Sequence, residues 1–168
     1  MYLEKTGFTY VLSHPEDLKQ VHDLAYEDQK KLEDLKIRNH AYKVHFVDAN
    51  EPTLKGDKPE DFYHSYFLGN DPQKWASRVS LFEEVVYEDL YDGIDLLAYS
   101  QDGNFKYDFI VEPNADVSNL KLKFDGIDGL HLHYGALHIE TSVHEIIEQK
   151  PYAYQIIDGE KITVKCNY

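Results

Sequence analysis

"FKYDFIV", residues 105–111, places an apolar or aromatic side chain at every second position over most of its length. Phe105, Tyr107, Phe109 and Val111 therefore share one face of an extended chain, because successive side chains of a β-strand point to opposite faces. "NLKLKF", residues 119–124, repeats the pattern with two leucines and a phenylalanine on one face and two lysines on the other. Both stretches predict half-buried strands.

Short alternating runs of this kind dominate from residue 42 onward, and glycine-containing turn sequences separate them. The turn sequences are QDGN (101–104), DGIDG (125–129), YG (134–135) and IDGE (157–160). A spacing of about 8–12 residues between turns is typical of antiparallel strands. We therefore predict a mainly β fold, an antiparallel β-sandwich-like arrangement or meander of about 10–12 short strands.

Residues 13–40 depart from this alternation. Their apolar side chains recur at helical spacing, at Leu18, Val21, Leu24, Ala25, Leu32 and Leu35. This pattern predicts one inserted helix at about residues 15–36, with a charged mobile loop as the alternative. Residues 48–61 collect proline, glycine and acids without periodicity and predict a surface loop. We predict that residues 1–168 form a single β-rich domain with an insertion at 13–40.

The charge of the chain bears on its partners. Its 17 basic and 31 acidic residues give a formal net charge of −14, which repels phosphate backbones and anionic lipid surfaces. We therefore expect no nucleic-acid partner. The sequence has no run of about 20 apolar residues, so we expect no membrane insertion. Cys166 is the only cysteine and can form no internal disulfide.

The motifs that identify a reaction class are absent from the sequence. It has no glycine-rich phosphate loop, no G-x-S-x-G elbow and no H-E-x-x-H helix. Carboxylates are plentiful, and a glycosidase needs only two of them across a cleft. The acids considered were Glu83, Glu84, Asp92, Asp95 and Asp108. We expect a non-catalytic protein, and a carbohydrate-active enzyme is the alternative.

Two kinds of cation site were considered, and no other cofactor is expected. Asp and Asn cluster in GNDP, QDGN, PNADVSN and FDGIDG, which suits calcium, although these residues also favour turns for local reasons. In "GLHLHYGALHIE", residues 129–140, a hairpin with a Tyr134-Gly135 turn would pair His131 with His138. It would also pair Leu132 with Leu137 and direct both leucines inward. His131, His133 and His138 would then form a patch able to hold Zn²⁺ or Ni²⁺, with Glu140 nearby.

A Gly-Asn-Asp-Pro turn precedes the single tryptophan in "FLGNDPQKWASRV", residues 67–79. Pro72 fixes its own φ and favours an extended Asp71. A large aromatic residue beside a turn is more often buried than a ligand platform. We therefore expect Trp75 to pack in the core, and an aromatic shelf for a sugar is the alternative.

Four motifs together make the chain resemble a known family. They are GNDP with Trp75 (69–75), LYDGIDL (90–96), YDFIVEPNAD (107–116) and KPYAYQ (150–155). The chain resembles a domain of unknown function found near the N-terminus of large secreted bacterial surface proteins. These include gliding motility-associated proteins exported by type IX secretion and proteins with SBBP β-propeller repeats.

The resemblance implies a non-catalytic structural or binding module of a larger secreted or cell-surface protein, serving adhesion, surface display or gliding-related contacts. Its partners would be a glycan or protein ligand and other domains of the same chain. A calcium- or zinc-dependent glycan-binding module is a further alternative. The signature positions considered as a ligand surface are Asn70, Asp71, Trp75, Tyr91, Asp95 and Asp108.

Overall fold

The computed structural model describes residues 1–27 and 29–168, with the side chains of residues 26–30 outside that description. The described residues contain thirteen strands and two α-helices, which confirms the predicted mainly β fold. Two compact units are distinguished. The first comprises Met1–Tyr2, Phe8–Val44 and Phe124–Tyr168, and the second comprises Leu3–Gly7 and His45–Lys123. That the chain is a single domain stays a prediction.

The elements follow one another in a simple order. They are β1 (Tyr2–Glu4), β2 (Gly7–Ser13), α1 (Pro15–Glu27), α2 (Gln29–Asp34), β3 (Asn39–Phe46), β4 (Thr53–Tyr66), β5 (Ala76–Tyr91), β6 (Ile94–Gln101), β7 (Asn104–Val111), β8 (Leu122–Asp125), β9 (Gly129–His133), β10 (Ala136–Glu140), β11 (Ile146–Glu148), β12 (Ala153–Ile157) and β13 (Glu160–Val164). They form four sheets, in the orders β1-β2-β3-β8, β4-β5-β6-β7, β11-β10-β9 and β12-β13.

The second unit is built on the meander β4-β5-β6-β7, in which each strand pairs antiparallel with the next. Its core alternates along β6, where Ile94, Leu96 and Ala98 are buried while the residues between them are half-buried. Phe46 and Tyr87 pack edge to face, with ring centroids 5.8 Å apart. The alternation predicted for residues 105–111 is found in β7 for Phe105, Tyr107 and Phe109, which are half-buried, whereas Val111 at the end of the strand is exposed.

Strand β4 corrects the expectation of a loop at residues 48–61. Thr53–Tyr66 is a 14-residue strand paired with the 16-residue β5, so the loop prediction is wrong from Thr53 onward. The strand forms because its backbone groups hydrogen-bond to β5, a distant partner that the local sequence pattern does not indicate. Pro59 is tolerated because β4 is an edge strand among the described strands of its sheet, and the register shifts between Pro59 and Tyr63.

The first unit has its core where β2 and β3 meet and under β10. Phe8, Tyr42, Leu137, Ile139 and Val143 are buried there. The rings of Tyr10 and Tyr42 stack with centroids 4.7 Å apart and planes 6° from parallel. Large aromatic side chains thus contribute a major share of the apolar surface that the unit removes from water.

The helical prediction for residues 15–36 is found as two helices, α1 and α2, and residue 28 between them lies outside the described residues. The apolar stripe is thinly covered, since Leu18 is exposed and Val21 and Leu24 are half-buried. Asp17 in α1, by contrast, is buried. Neither described helix has the length and apolar character needed to cross a membrane.

Candidate functional site

The hairpin β4–β5 ends in a structured tip, Phe67–Trp75. Pro72–Lys74 forms one 3₁₀ turn that extended Asp71 caps, and Asp71 Oδ1 accepts a hydrogen bond from Gln73 N at 3.1 Å. The indole Nε1 of Trp75 donates to Gly69 O at 3.2 Å, and its ring meets Phe67 edge to face at 5.5 Å. Of the predicted site residues, this tip brings together Asn70, Asp71 and Trp75.

The expectation that Trp75 packs in the core is wrong. Its side chain is 42% exposed, because it lies at the far end of a long hairpin. The indole folds back onto its own turn and stabilises the tip. Whether it also binds a ligand stays a prediction.

A row of aromatic rings on β4 was not found by sequence reasoning. Phe62, His64 and Tyr66 follow one another along one face, with ring centroids 6.1 and 6.2 Å apart. Phe62 and Tyr66 are both exposed. Tyr63 is directed to the other face and stacks under the Arg78 guanidinium at 4.8 Å. The alternation of residues 62, 64 and 66 was the available signal.

The other three signature residues lie outside the tip. Tyr91 is only 4% exposed, and its hydroxyl donates to Val47 O at 3.1 Å. Burial raises the pKa of the Tyr91 phenol. Asp95 Oδ1 accepts from Asp89 N at 2.7 Å, which holds an irregular segment of β5 where Asp89 has a φ of 57°. These contacts are structural.

Four of the five acids named as candidates for a catalytic pair, Glu84, Asp92, Asp95 and Asp108, have local partners. Asp108 accepts from the Tyr99 hydroxyl at 3.1 Å, and Glu84 forms an ion pair with Lys58. Asp92 accepts from Asn50 Nδ2 at 3.2 Å. Asp92 and Asn50 also line a cavity of about 190 Å³ together with Asp48, Tyr91, Asn119 and Lys121.

Three of the Asp and Asn residues in the predicted calcium segments, Asp71, Asn104 and Asp116, bond to nearby backbone. Asp116 Oδ1 accepts from Ser118 N at 2.9 Å and caps a second 3₁₀ turn, as Asp71 does at the tip. Asn104 donates to Asp102 O at 3.2 Å within the β6–β7 turn. These are the local bonds that make such residues common in turns. Calcium binding stays a prediction.

The predicted histidine hairpin is found in β9–β10. His133 pairs with Ala136, Leu132 with Leu137 and His131 with His138, as predicted. Tyr134 and Gly135 have φ angles of 48° and 83°, the conformation of a type I′ turn. The pairing puts Leu132 and Leu137 on the same face, but the expectation that both are buried is wrong for Leu132, which is 55% exposed although Leu137 is buried.

Two of the three predicted histidines meet two carboxylates. The rings of His131 and His138 stack with centroids 5.0 Å apart. His138 Nδ1 lies 2.9 Å from Glu145 Oε1, and His131 Nδ1 lies 3.2 Å from Glu140 Oε1. Ligand atoms of His131, His138 and Glu145 all lie within 4.8 Å of one another. Sequence reasoning missed Glu145, because the turn after β10 sets its position.

The predicted third histidine has a different neighbourhood. His133 packs against Tyr134 with ring centroids 4.3 Å apart and meets the His138 ring edge to face at 5.6 Å. It does not belong to the group that His131, His138 and Glu145 form among the described residues.

The architecture defines a mainly β protein with a long β4–β5 hairpin and a histidine-carboxylate cluster of His131, His138 and Glu145. The chain belongs to the family described as domain of unknown function (DUF7948), whose match spans residues 1–168. No curated protein and no solved structure matches the chain.

Proposed function

We propose that this chain is a non-catalytic binding module of a large secreted or cell-surface bacterial protein. The resemblance to N-terminal domains of gliding motility-associated, type IX-secreted and SBBP-repeat proteins supports the surface setting. The aromatic row Phe62, His64 and Tyr66 on the edge strand β4 is the observation that carries the binding role.

The outer half of β4 is suited to receive an extended polypeptide. An edge strand offers unpaired backbone groups, and proteins usually block such edges with lysine, proline or irregular backbone. Lys55, Lys58 and Pro59 fulfil this role in the inner half, and Lys58 has a φ of 50°. Residues 62–66 carry no lysine and no proline, and their one irregularity is a register shift between His64 and Tyr66. Backbone pairing would provide affinity, and the aromatic row would select side chains of the partner.

The non-catalytic part of the proposal is supported by the carboxylates. Glu84 is paired with Lys58, Asp95 holds the β5 irregularity, and Asp108 accepts from Tyr99. Each is committed to a structural contact. A hydrolase would instead leave two carboxylates free to converge on a substrate.

A phage-displayed random peptide library and a glycan array, each probed with the same purified chain, test this function. We expect enrichment of peptides with alternating apolar residues, and loss of their binding in the variant Phe62→Ser/Tyr66→Ser. Tyr154→Ser, which removes an exposed aromatic ring of β12, is the matched control and should bind as the wild type does.

Two outcomes would contradict the strand-binding role. Selection of glycans with the same dependence on Phe62 and Tyr66 would make the row a sugar platform. Equal binding by both variants would remove β4 from the interaction. The surface setting is tested separately by immunodetection on intact cells of the bacterium that encodes the protein, where a purely intracellular signal would contradict it.

A further inference from the structure

We propose that His131, His138 and Glu145 bind a divalent transition-metal ion, with Zn²⁺ as the best match. The proposal is independent of the binding role of β4. It rests on a cluster in which a β9 imidazole, a β10 imidazole and the carboxylate of the residue just before β11 come within 4.8 Å of one another.

The sheet register holds the two imidazoles on one face, and Glu145 lies just before the neighbouring strand β11. His138 lies on the central strand β10, opposite His131 of β9 and Ile147 of β11. Glu145 precedes Ile147 by two residues, so an extended chain directs it to the same face. The ligands thus come from two adjacent strands of one small sheet and from the residue that leads into the third, and a bound ion would cross-link them.

The distances are compatible with a tetrahedral site after small side-chain adjustments. Ligand atoms about 2.0–2.1 Å from Zn²⁺ stand about 3.3–3.4 Å apart at tetrahedral angles. His138 Nδ1 and Glu145 Oε1 are already 2.9 Å apart. The rest of the cluster needs to contract by at most about 1.5 Å, which side-chain rotations of exposed residues achieve. Three protein ligands leave a fourth position for water or for a donor atom of a ligand.

Glu140 acts as a positioning residue for His131. Its Oε1 lies 3.2 Å from His131 Nδ1, which leaves the other ring nitrogen for the metal. Histidines that bind metals are commonly oriented by such a carboxylate. Gly129, opposite Glu140 in the register, makes room for it, because a Cβ there would lie 2.5 Å from Glu140 Oε2.

The donor set decides which ion is favoured. Imidazole nitrogen suits zinc, copper and nickel, whereas calcium and magnesium prefer sites built from oxygen ligands alone. Two imidazoles and one carboxylate are also the donor set of several zinc enzymes. We therefore expect Zn²⁺ to bind and Ca²⁺ to leave the site unaffected.

Calorimetric titration of the tag-free chain with ZnCl₂, alongside thermal unfolding with and without Zn²⁺, tests the site. We expect one ion per chain and a rise in Tm. His131→Asn, His138→Asn and Glu145→Gln should each weaken binding more than about 100-fold, and Glu140→Gln about 10–100-fold. His133→Asn is the matched control from the same strand and should retain wild-type affinity.

Glu145 and His131 are exposed, so their variants are expected to keep the metal-free Tm and circular dichroism of the wild type. This check separates loss of binding from loss of folding. Cobalt(II) absorption gives a second readout, since a tetrahedral site produces intense bands that Glu145→Gln should remove. Absence of stoichiometric Zn²⁺ binding by the wild type, or unchanged affinity in His131→Asn and Glu145→Gln, would overturn the proposal.

Discussion

The guanidinium group of Arg38 forms a bidentate ion pair with the carboxylate of Asp17. Nη2 donates to Oδ1 at 2.7 Å and Nε donates to Oδ2 at 2.9 Å, and the Arg38 backbone N also donates to Oδ2 at 2.9 Å. Asp17 lies in the first turn of α1 and is only 6% exposed, whereas Arg38 immediately precedes β3. The ion pair therefore connects the first turn of α1 to the residue that leads into β3.

This contact makes a prediction about acid stability. The hydrogen bonds from Arg38 lower the pKa of the Asp17 carboxyl well below its usual value. Stability gained from a depressed pKa is present above the unfolded-state pKa, about 3.9, and is lost as the pH falls below it. We expect Asp17→Asn to destabilise the chain at neutral pH and to flatten the fall in stability below about pH 4. Urea unfolding at a series of pH values measures both.

Asp23→Asn is the matched control for that experiment, because Asp23 is an exposed acid of the same helix. It should leave the pH dependence of stability unchanged. Parallel acid curves for the wild type and Asp17→Asn would show that the Arg38 contact is not maintained in solution.

The sequence was informative where a local pattern decides the structure. Alternation predicted the half-buried face of β7 correctly except at the exposed Val111, and the Tyr134-Gly135 turn predicted the pairing of His131 with His138. Both depend on backbone geometry that a few neighbouring residues set. The same reasoning found two members of the histidine-carboxylate cluster but not Glu145, whose place depends on how the chain returns after β10.

Local patterns failed where burial depends on distant partners. Alternation groups side chains on a face but does not show whether anything covers that face, so Leu132 and Trp75 were expected inside and are exposed. The first half of β4 was predicted to be a loop because its local strand propensity is poor. It is a strand because pairing with β5 outweighs that propensity. The Asp17–Arg38 contact spans 21 residues of sequence and has no local signature.

Substitution of Trp75 tests whether its side chain is partly exposed, as the structure shows, or buried in the core. Its indole contacts Phe67 and donates to Gly69 O but remains partly in solvent. We expect Trp75→Ala to reduce the free energy of unfolding by about 1 kcal/mol, the value of one aromatic pair or one hydrogen bond. Leu96→Ala, in the buried centre of β6, should cost about 2–5 kcal/mol. Chemical denaturation of the two variants compares these losses. A cost for Trp75→Ala as large as that for Leu96→Ala would restore the buried position expected from sequence.

Buried tyrosines predict sensitivity to alkali. Burial is the largest cause of the raised pKa values of Tyr10, Tyr42 and Tyr87. A raised folded-state pKa gives stability that is complete below the unfolded pKa of about 10 and is lost as the pH rises above it. We expect a late phase in the tyrosinate absorbance titration that coincides with loss of circular dichroism.

Tyr42→Phe is the variant that assigns the late phase. Within the described residues the buried Tyr42 hydroxyl has no hydrogen-bond partner, so its removal should leave stability at neutral pH unchanged or higher. The amplitude of the late phase should decrease. A late phase of unchanged amplitude, or a clear loss of stability at neutral pH, would contradict the burial of this phenol.

The Tyr134-Gly135 turn predicts opposite effects for two neighbouring substitutions. Both residues have positive φ, which glycine and asparagine adopt more readily than other residues. Tyr134→Asn should raise the Tm, because it relieves a left-handed conformation that costs a bulky residue about 1–2 kcal/mol. Gly135→Ala should lower it, since the new Cβ has an unfavourable φ and would lie 3.3 Å from Lys150 Cδ. Thermal unfolding of both variants in metal-free buffer measures the signs. A decrease of similar size in both would show that the β9–β10 hairpin does not depend on a type I′ turn, and the facing of His131 and His138 would then need another cause.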